Sequence, residues 1–186
     1  MRIISGEHKG KKILQPKNKL TRPLKDLAKE SIFNIIEHSN KFTVKIEKSS
    51  ILDLFSGVGS FGIECLSRKA ALVTFVENYK GVLPILKRNI DNLNYSNYST
   101  IIEVDIFNQL KFFNFNLKFD IIFLDPPFKE RLLNKLLDEI NVAKILNKNG
   151  IIIVHRHTKE EDNLPEKFKI IEKKTYGISK IIFGKF

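Results

Sequence analysis

From Ser50 onward, short apolar runs alternate with segments of helical spacing. Residues 51–54, 72–76, 100–104, 119–124 and 151–154 read as strands, and their near-continuous apolar character suits strands buried on both faces of a parallel sheet. Residues 61–68, 82–93 and 131–146 carry apolar positions at helical spacing, with Pro84 in a first turn that tolerates proline. Asn149-Gly150 is expected to stop the last of these helices before the fifth strand. Residues 168–173 and 178–183, joined by a turn at Tyr176-Gly177, predict an antiparallel pair at one end of the sheet. Upstream, Leu24, Leu27, Ala28, Ile32, Ile35 and Ile36 predict a helix over 24–36. Residues 1–14 hold two apolar pairs around a Gly-containing polar stretch and predict a small hairpin, followed by a Pro- and Lys-rich loop over 15–26. Repeated βα units of this kind make an α/β, doubly wound, mostly parallel sheet.

The chain has 186 residues, 42% of them hydrophobic, which is expected to form a single domain over 1–186 with its core at 50–186. No apolar region follows the basic start and no apolar run approaches a membrane-spanning length, so neither a signal peptide nor a span is expected, and a cytoplasmic monomer is. The single cysteine, Cys65, excludes an internal disulfide and a cysteine-built metal cluster. It falls inside a helical pattern and reads as core. The formal net charge is +11. Residues 1–25 carry eight Lys and Arg against Glu7 alone, so seven of the eleven charges lie in that segment. Composition bias would spread charge evenly; this clustering marks 1–25 as a docking element for a nucleic acid. Arg2, Lys9, Lys11, Lys12 and Arg22 are its candidate nucleic-acid contacts.

Asp125-Pro126-Pro127-Phe128 directly follows the fourth predicted strand, at the sheet edge where open α/β sheets bind ligands. Two prolines stiffen the loop and leave carbonyls as acceptors. A carboxylate, carbonyls and an aromatic face together suit a planar group with an exocyclic NH2, as in a nucleobase. The plainer reading is a turn with Asp125 capping the next helix. After the first strand, Gly57, Gly59 and Gly62 form G-x-G-x-x-G, and Glu77 stands 20 residues past Gly57, the distance of a ribose-binding acid. That pattern fits NAD(P) and S-adenosylmethionine alike. Asp53, four residues before Gly57, can face the positive methionine end of S-adenosylmethionine. Asp105 can accept from an adenine amino group with Ile106 packed on the ring. Together with the Pro-Pro loop these favour S-adenosylmethionine. Phe55 and Asn78, beside Asp53 and Glu77, complete the candidate cofactor set. His155-Arg156-His157 lacks a Cys or carboxylate partner for a metal and reads as solvated or structural. Phe107, Phe112, Phe113, Phe115 and Phe119 read as core rather than a base-stacking surface.

With these motifs in order, the chain resembles, end to end, the bacterial RsmD-type methyltransferases of 16S ribosomal RNA. Met1 to Gly6 with Lys9-Gly10-Lys11-Lys12 is similar to the family's basic opening, and Thr21-Arg22-Pro23 with Glu30 to Asn34 to its second block. Asp53 to Glu64 corresponds to the cofactor loop, and Asp125 to Phe128 to the catalytic loop. Val58 replaces a small hydroxyl residue, and Leu24 stands where Thr often follows Arg-Pro. The resemblance implies a Rossmann-like class I methyltransferase fold, S-adenosylmethionine as cofactor, no metal, and methylation of a guanine 2-amino group in 16S rRNA, within a small-subunit assembly particle. Asp125 and the Pro126 carbonyl would then accept the amine protons, Pro127 would brace the loop, and Phe128 would stack on the base. An adenine-amino methyltransferase acting on DNA uses the same loop, but the chain has no long insertion for target recognition. A non-catalytic nucleic-acid-binding module is the alternative outside enzymes.

Overall fold

Successive residues of the buried strands face opposite layers, and each layer carries its own helices. The computed structural model describes residues 1–16, 26–109, 117–127 and 131–186. Its strands are β1 (Ser50–Leu54), β2 (Leu72–Glu77), β3 (Ser99–Glu103), β4 (Phe119–Leu124), β5 (Leu146–His157), β6 (Lys169–Tyr176) and β7 (Ser179–Lys185). The helices are α1 (Asp26–His38), α2 (Ser60–Ser67), α3 (Leu83–Asn92), α4 (Ile106–Gln109) and α5 (Leu133–Ala143). One sheet holds the strands in the order β3-β2-β1-β4-β5-β7-β6. The first five are parallel, and β7 pairs antiparallel with both β5 and β6. Ile51, Phe75, Phe123, Ile153 and Phe183 point to the layer that contains α1, α2 and α3. Leu52, Val76, Ile122, Val154 and Ile182 point to the layer of α4 and α5. This is the α/β fold expected, with the antiparallel pair at one end. Among the described residues, no helix is long and apolar enough to cross a membrane.

Two expectations are corrected. The helix predicted to run to residue 146 ends at Ala143, where Lys144 turns left-handed at φ 51°. The carbonyl of the buried Ile145 then accepts the Phe119 N–H at 2.7 Å, and β5 starts at once. Asn149-Gly150 therefore lies inside β5, at a shift in register where Phe119 pairs with Leu146 but Ile121 with Ile151. Asp120 closes this irregularity by accepting from the Asn147 side chain at 2.7 Å and the Ser50 N–H at 2.9 Å.

The second correction concerns α1. Leu27 was expected on its apolar face but is 64% exposed, while Lys29 is 0% exposed. Glu64 on α2, also 0% exposed, explains the exchange. Its carboxylate lies 3.4 Å from the Lys29 ammonium and accepts from Arg68 Nε at 3.0 Å. It also accepts the backbone N–H groups of Ile4 at 2.8 Å and Ser5 at 2.9 Å. A buried carboxylate needs such partners. Burial lowers the Lys29 pKa, and Glu64 opposes that shift. Lys29 further donates to the Arg2 carbonyl at 2.8 Å. The predicted hairpin thus forms, with an antiparallel bridge between Arg2 and Lys12, and it is fastened to α2 by charge. Leu24, Arg22 and the rest of 17–25 lie outside the described residues.

Glu64→Ala is expected to leave Lys29 buried without its carboxylate and to release two hairpin N–H groups, costing about 3–5 kcal/mol. Denaturant unfolding measures the loss, and hydrogen exchange at Ile4 and Ser5 should accelerate in the same variant. Stability within a few tenths of wild type, with unchanged exchange, would contradict this account of hairpin docking.

Candidate active site

The strand order reverses between β1 and β4, and both candidate loops leave from that point. Asp125 donates its N–H to the Leu54 carbonyl at 3.3 Å, so the two loops start side by side. Phe55 opens the first loop with a left-handed φ of 62°, and Gly57 and Gly59 follow at 56° and 86°. The space above the Gly57 Cα is open, whereas a Cβ on Gly62 would come within 2.3 Å of the Phe75 ring. The first glycine thus leaves room for a ligand, and the third lets α2 press on β2.

Acids clamp this loop from beneath. Glu77 accepts the Gly57 N–H at 2.7 Å, and its other oxygen accepts Asn78 and Tyr79 N–H at 2.9 and 2.8 Å. Asn78 itself is exposed. Asp53, 1% exposed, accepts the Gly62 N–H at 3.0 Å through Oδ2. Its Oδ1 and the Ser60 hydroxyl are buried without a hydrogen-bond partner among the described residues. Orphaned buried oxygens of this kind call for a donor. Burial pushes the Asp53 carboxyl well above its ordinary range; Gly62 pulls it back, while Asp125 and Glu77 push it up further. At the next strand end, Asp105 accepts the Phe107 N–H at 3.1 Å, Ile106 is buried, and the Phe107 ring packs on Phe55 at 5.2 Å. Phe119 is core, as expected; Phe112, Phe113 and Phe115 lie outside the described residues. An open glycine turn, orphaned acceptors and acids at successive strand ends fit a cationic, hydroxyl-bearing adenosyl cofactor.

The second loop is held by β5, which the sequence reading did not connect to it. His155, nearly fully buried, places Nδ1 2.7 Å from Asp125 Oδ1. Arg156, also buried, donates Nη1–H to the Pro127 carbonyl at 3.1 Å and Nε–H to Asp162 at 3.1 Å. Lys180 forms an ion pair with the same Asp162 and donates to the Glu160 carbonyl at 2.6 Å. His155 is therefore structural rather than solvated, and no group of three metal-ligating side chains exists among the described residues. Pro126 is buried and Pro127 exposed. Phe128 lies outside the described residues. The only sequence signal for the clamp was two polar residues ending a strand of four consecutive apolar ones.

Arg2, Lys9, Lys11 and Lys12 are all exposed, and none pairs with a described carboxylate. Asn89 ties their hairpin to the first loop: it accepts the Leu14 N–H at 2.8 Å and donates to the Leu14 and Val58 carbonyls at 3.1 and 3.0 Å.

Comparison with known proteins places this geometry. The family described as conserved hypothetical protein 95 matches residues 1–185. The ribosomal RNA small subunit methyltransferase D of Buchnera aphidicola subsp. Acyrthosiphon pisum is 35% identical over 172 residues, 92% of this chain and 86% of that one. The chain belongs to the ribosomal RNA small subunit methyltransferase D family. The member from Haemophilus influenzae is 34% identical over 179 residues, covering 96% of this chain and 90% of that one. The solved structure of yhhF from Escherichia coli superposes with a TM-score of 0.81 at 25% identity, covering 99% and 96% of the two chains. The described residues of the family blocks quoted above fall on the hairpin, on α1 and on the two loops at the β1–β4 reversal; Thr21 to Pro23 and Phe128 lie outside the described residues.

Asp53 has a folded-state pKa raised above its unfolded value, so the fold holds its proton more tightly and its ionisation costs stability as pH rises. Asp53→Asn keeps an acceptor for Gly62 and removes that cost. The variant is expected to melt higher than wild type at neutral pH, by about 2–4 °C for each kcal/mol recovered. The gain should vanish as pH falls to the ordinary aspartate value of 3.8. Thermal unfolding at neutral and acid pH tests both halves; a lower Tm at neutral pH would refute the cost assigned to this carboxylate.

Proposed function

We propose that this chain methylates the exocyclic 2-amino group of a guanine in 16S ribosomal RNA, using S-adenosylmethionine. The observation that carries the reading is the adjacency of the glycine loop and the Asp125–Pro127 loop, joined by the Asp125–Leu54 hydrogen bond. S-Adenosylmethionine supplies a methyl group on a positively charged sulfur. Asp53 and the open turn at Gly57 and Gly59 would hold its methionine end. Glu77, with three backbone N–H groups already accepted, has one of roughly four acceptor sites left for a ribose hydroxyl. Asn78 and Phe55 flank that position, and Asp105 and Ile106 would receive the adenine.

A guanine amino group is a poor nucleophile because its lone pair is delocalised into the ring. Asp125 and the Pro126 carbonyl counter this by accepting its two protons, which turns the lone pair toward the methyl carbon. Asp125 would then take the proton that the amine gives up on methylation. The Pro127 carbonyl already accepts from Arg156, which favours Pro126 as the carbonyl for the base. Phe128 would stack on the ring, a contact worth about 1–3 kcal/mol. The base must be flipped or single-stranded to enter. Exposed Arg2, Lys9, Lys11 and Lys12, with Arg22, would grip the phosphate backbone of a small-subunit assembly particle in the cytoplasm.

Asp125→Ala is expected to abolish transfer of a labelled methyl group to small-subunit RNA while calorimetry still detects S-adenosylmethionine binding. Mass-spectrometric mapping of the wild-type product should find N2-methylguanine; a methylated adenine, or wild-type turnover by the variant, would overturn the assignment.

Replacing Arg2, Lys9, Lys11 and Lys12 together by Gln should weaken RNA binding at low salt. Each lost phosphate contact removes about 0.7–0.9 from the slope of log affinity against log salt. Titrations at several salt concentrations measure that slope; an unchanged value places docking elsewhere on the surface.

A further inference from the structure

The carboxyl end of β5 overhangs its neighbour by three residues. β4 ends at Leu124, paired with Val154, and the chain leaves the sheet as the Asp125 loop. β5 continues to His157 because β7 pairs with it along His155–Ile181, Arg156–Lys180 and His157–Ser179. The overhang is thus fixed on one side by a ladder and presents its other side to the loop. Two consecutive residues of it grip the loop at separate points, His155 at the Asp125 carboxylate and Arg156 at the Pro127 carbonyl.

We infer that His155 is a positioning residue for methyl transfer, holding the Asp125 carboxylate by one oxygen so that the other is aimed at the substrate amine. The inference rests on the function proposed above. An ionised carboxylate only accepts, so Nδ1 of His155 carries the hydrogen of this 2.7 Å contact. It does so whether the ring is neutral or protonated. With Oδ1 engaged, Oδ2 has no partner among the described residues and is the acceptor for the incoming N–H. A free carboxylate would rotate about its terminal torsion, which is broad and roughly two-fold. The imidazole is itself immobilised by burial within the sheet, so the orientation it imposes is inherited from the β5–β7 ladder. Arg156 holds the same loop at Pro127 and is in turn held by Asp162, which Lys180 also contacts. Asp125 is therefore constrained in its backbone by Leu54 and Arg156, and in its side chain by His155.

The test measures methyl transfer to small-subunit RNA by the full chain carrying His155→Ala, His155→Leu or His155→Asn. Loss of orientation should lower kcat for the Ala and Leu variants on the order of tenfold to a hundredfold, the scale of a misplaced catalytic group. KM for RNA and the Kd for S-adenosylmethionine should stay at wild-type values. His155→Asn, whose amide N–H can reach the same oxygen, should recover most of kcat. If Ala proves unstable, the Leu and Asn variants, alike in number and branching of side-chain heavy atoms and different in donor capacity, decide the matter. Equal kcat in Leu and Asn, or wild-type kcat in Leu, would overturn the inference. Failure of wild type itself to methylate small-subunit RNA would instead overturn the proposed function, whatever the His155 variants do.

Discussion

The reversal of strand order between β1 and β4 is the constraint on which the site depends. Parallel strands all deliver their carboxyl ends to one edge, and helices on both faces leave that edge as the accessible one. At the reversal, the chains leaving β1 and β4 depart toward opposite layers, which opens a crevice between them. The Asp125–Leu54 hydrogen bond sets the width of that crevice at its base. In the function proposed above, a cofactor on the glycine loop and a nucleobase on the Asp125 loop would face one another across this gap, the geometry an in-line transfer needs.

Each loop at the crevice is rigid for a different reason. The glycine loop is held by carboxylates beneath it, Asp53 on Gly62 and Glu77 on Gly57, so the groups proposed to hold the cofactor also define the loop's backbone. Keeping Asp53 nine residues before its partner and almost fully buried costs free energy as long as it is ionised. The Asp125 loop carries two prolines and is pinned by residues from β5. Charge and stereochemistry share the task of preorganisation, so little remains for the substrate to order on binding.

Buried charge organises the amino-terminal region as well. Glu64 joins α1, α2 and the hairpin through Lys29, Arg68 and two backbone N–H groups. A two-stranded hairpin is marginal alone. Anchored this way it displays its cations outward, and Asn89 links the chain leaving it to Val58 in the glycine loop. The basic segment and the cofactor loop share a fixed point in one buried amide.

Strand identity, the parallel sheet, the glycine spacing and the clustering of cations were legible in the sequence, because each is a periodicity or a local count. The acids at the strand ends were legible too, since a carboxylate just past an apolar run falls at the sheet edge whatever the order of strands. The sequence did not tell which of their oxygens were already taken: Glu77 and Asp53 read as ligand-facing, yet both also support the loop. Lys29 in place of Leu27 on the buried face of α1 depended on Glu64, thirty-five positions away. The extension of β5 through Asn149-Gly150 depended on Phe119 and Asp120, and the pairing of His155 with Asp125 depended on β7 lengthening β5 beyond β4. These are contacts between elements, and local pattern fixes an element's type without fixing its neighbours. Only the assembled sheet brought a histidine thirty residues downstream against the acid that opens the second loop.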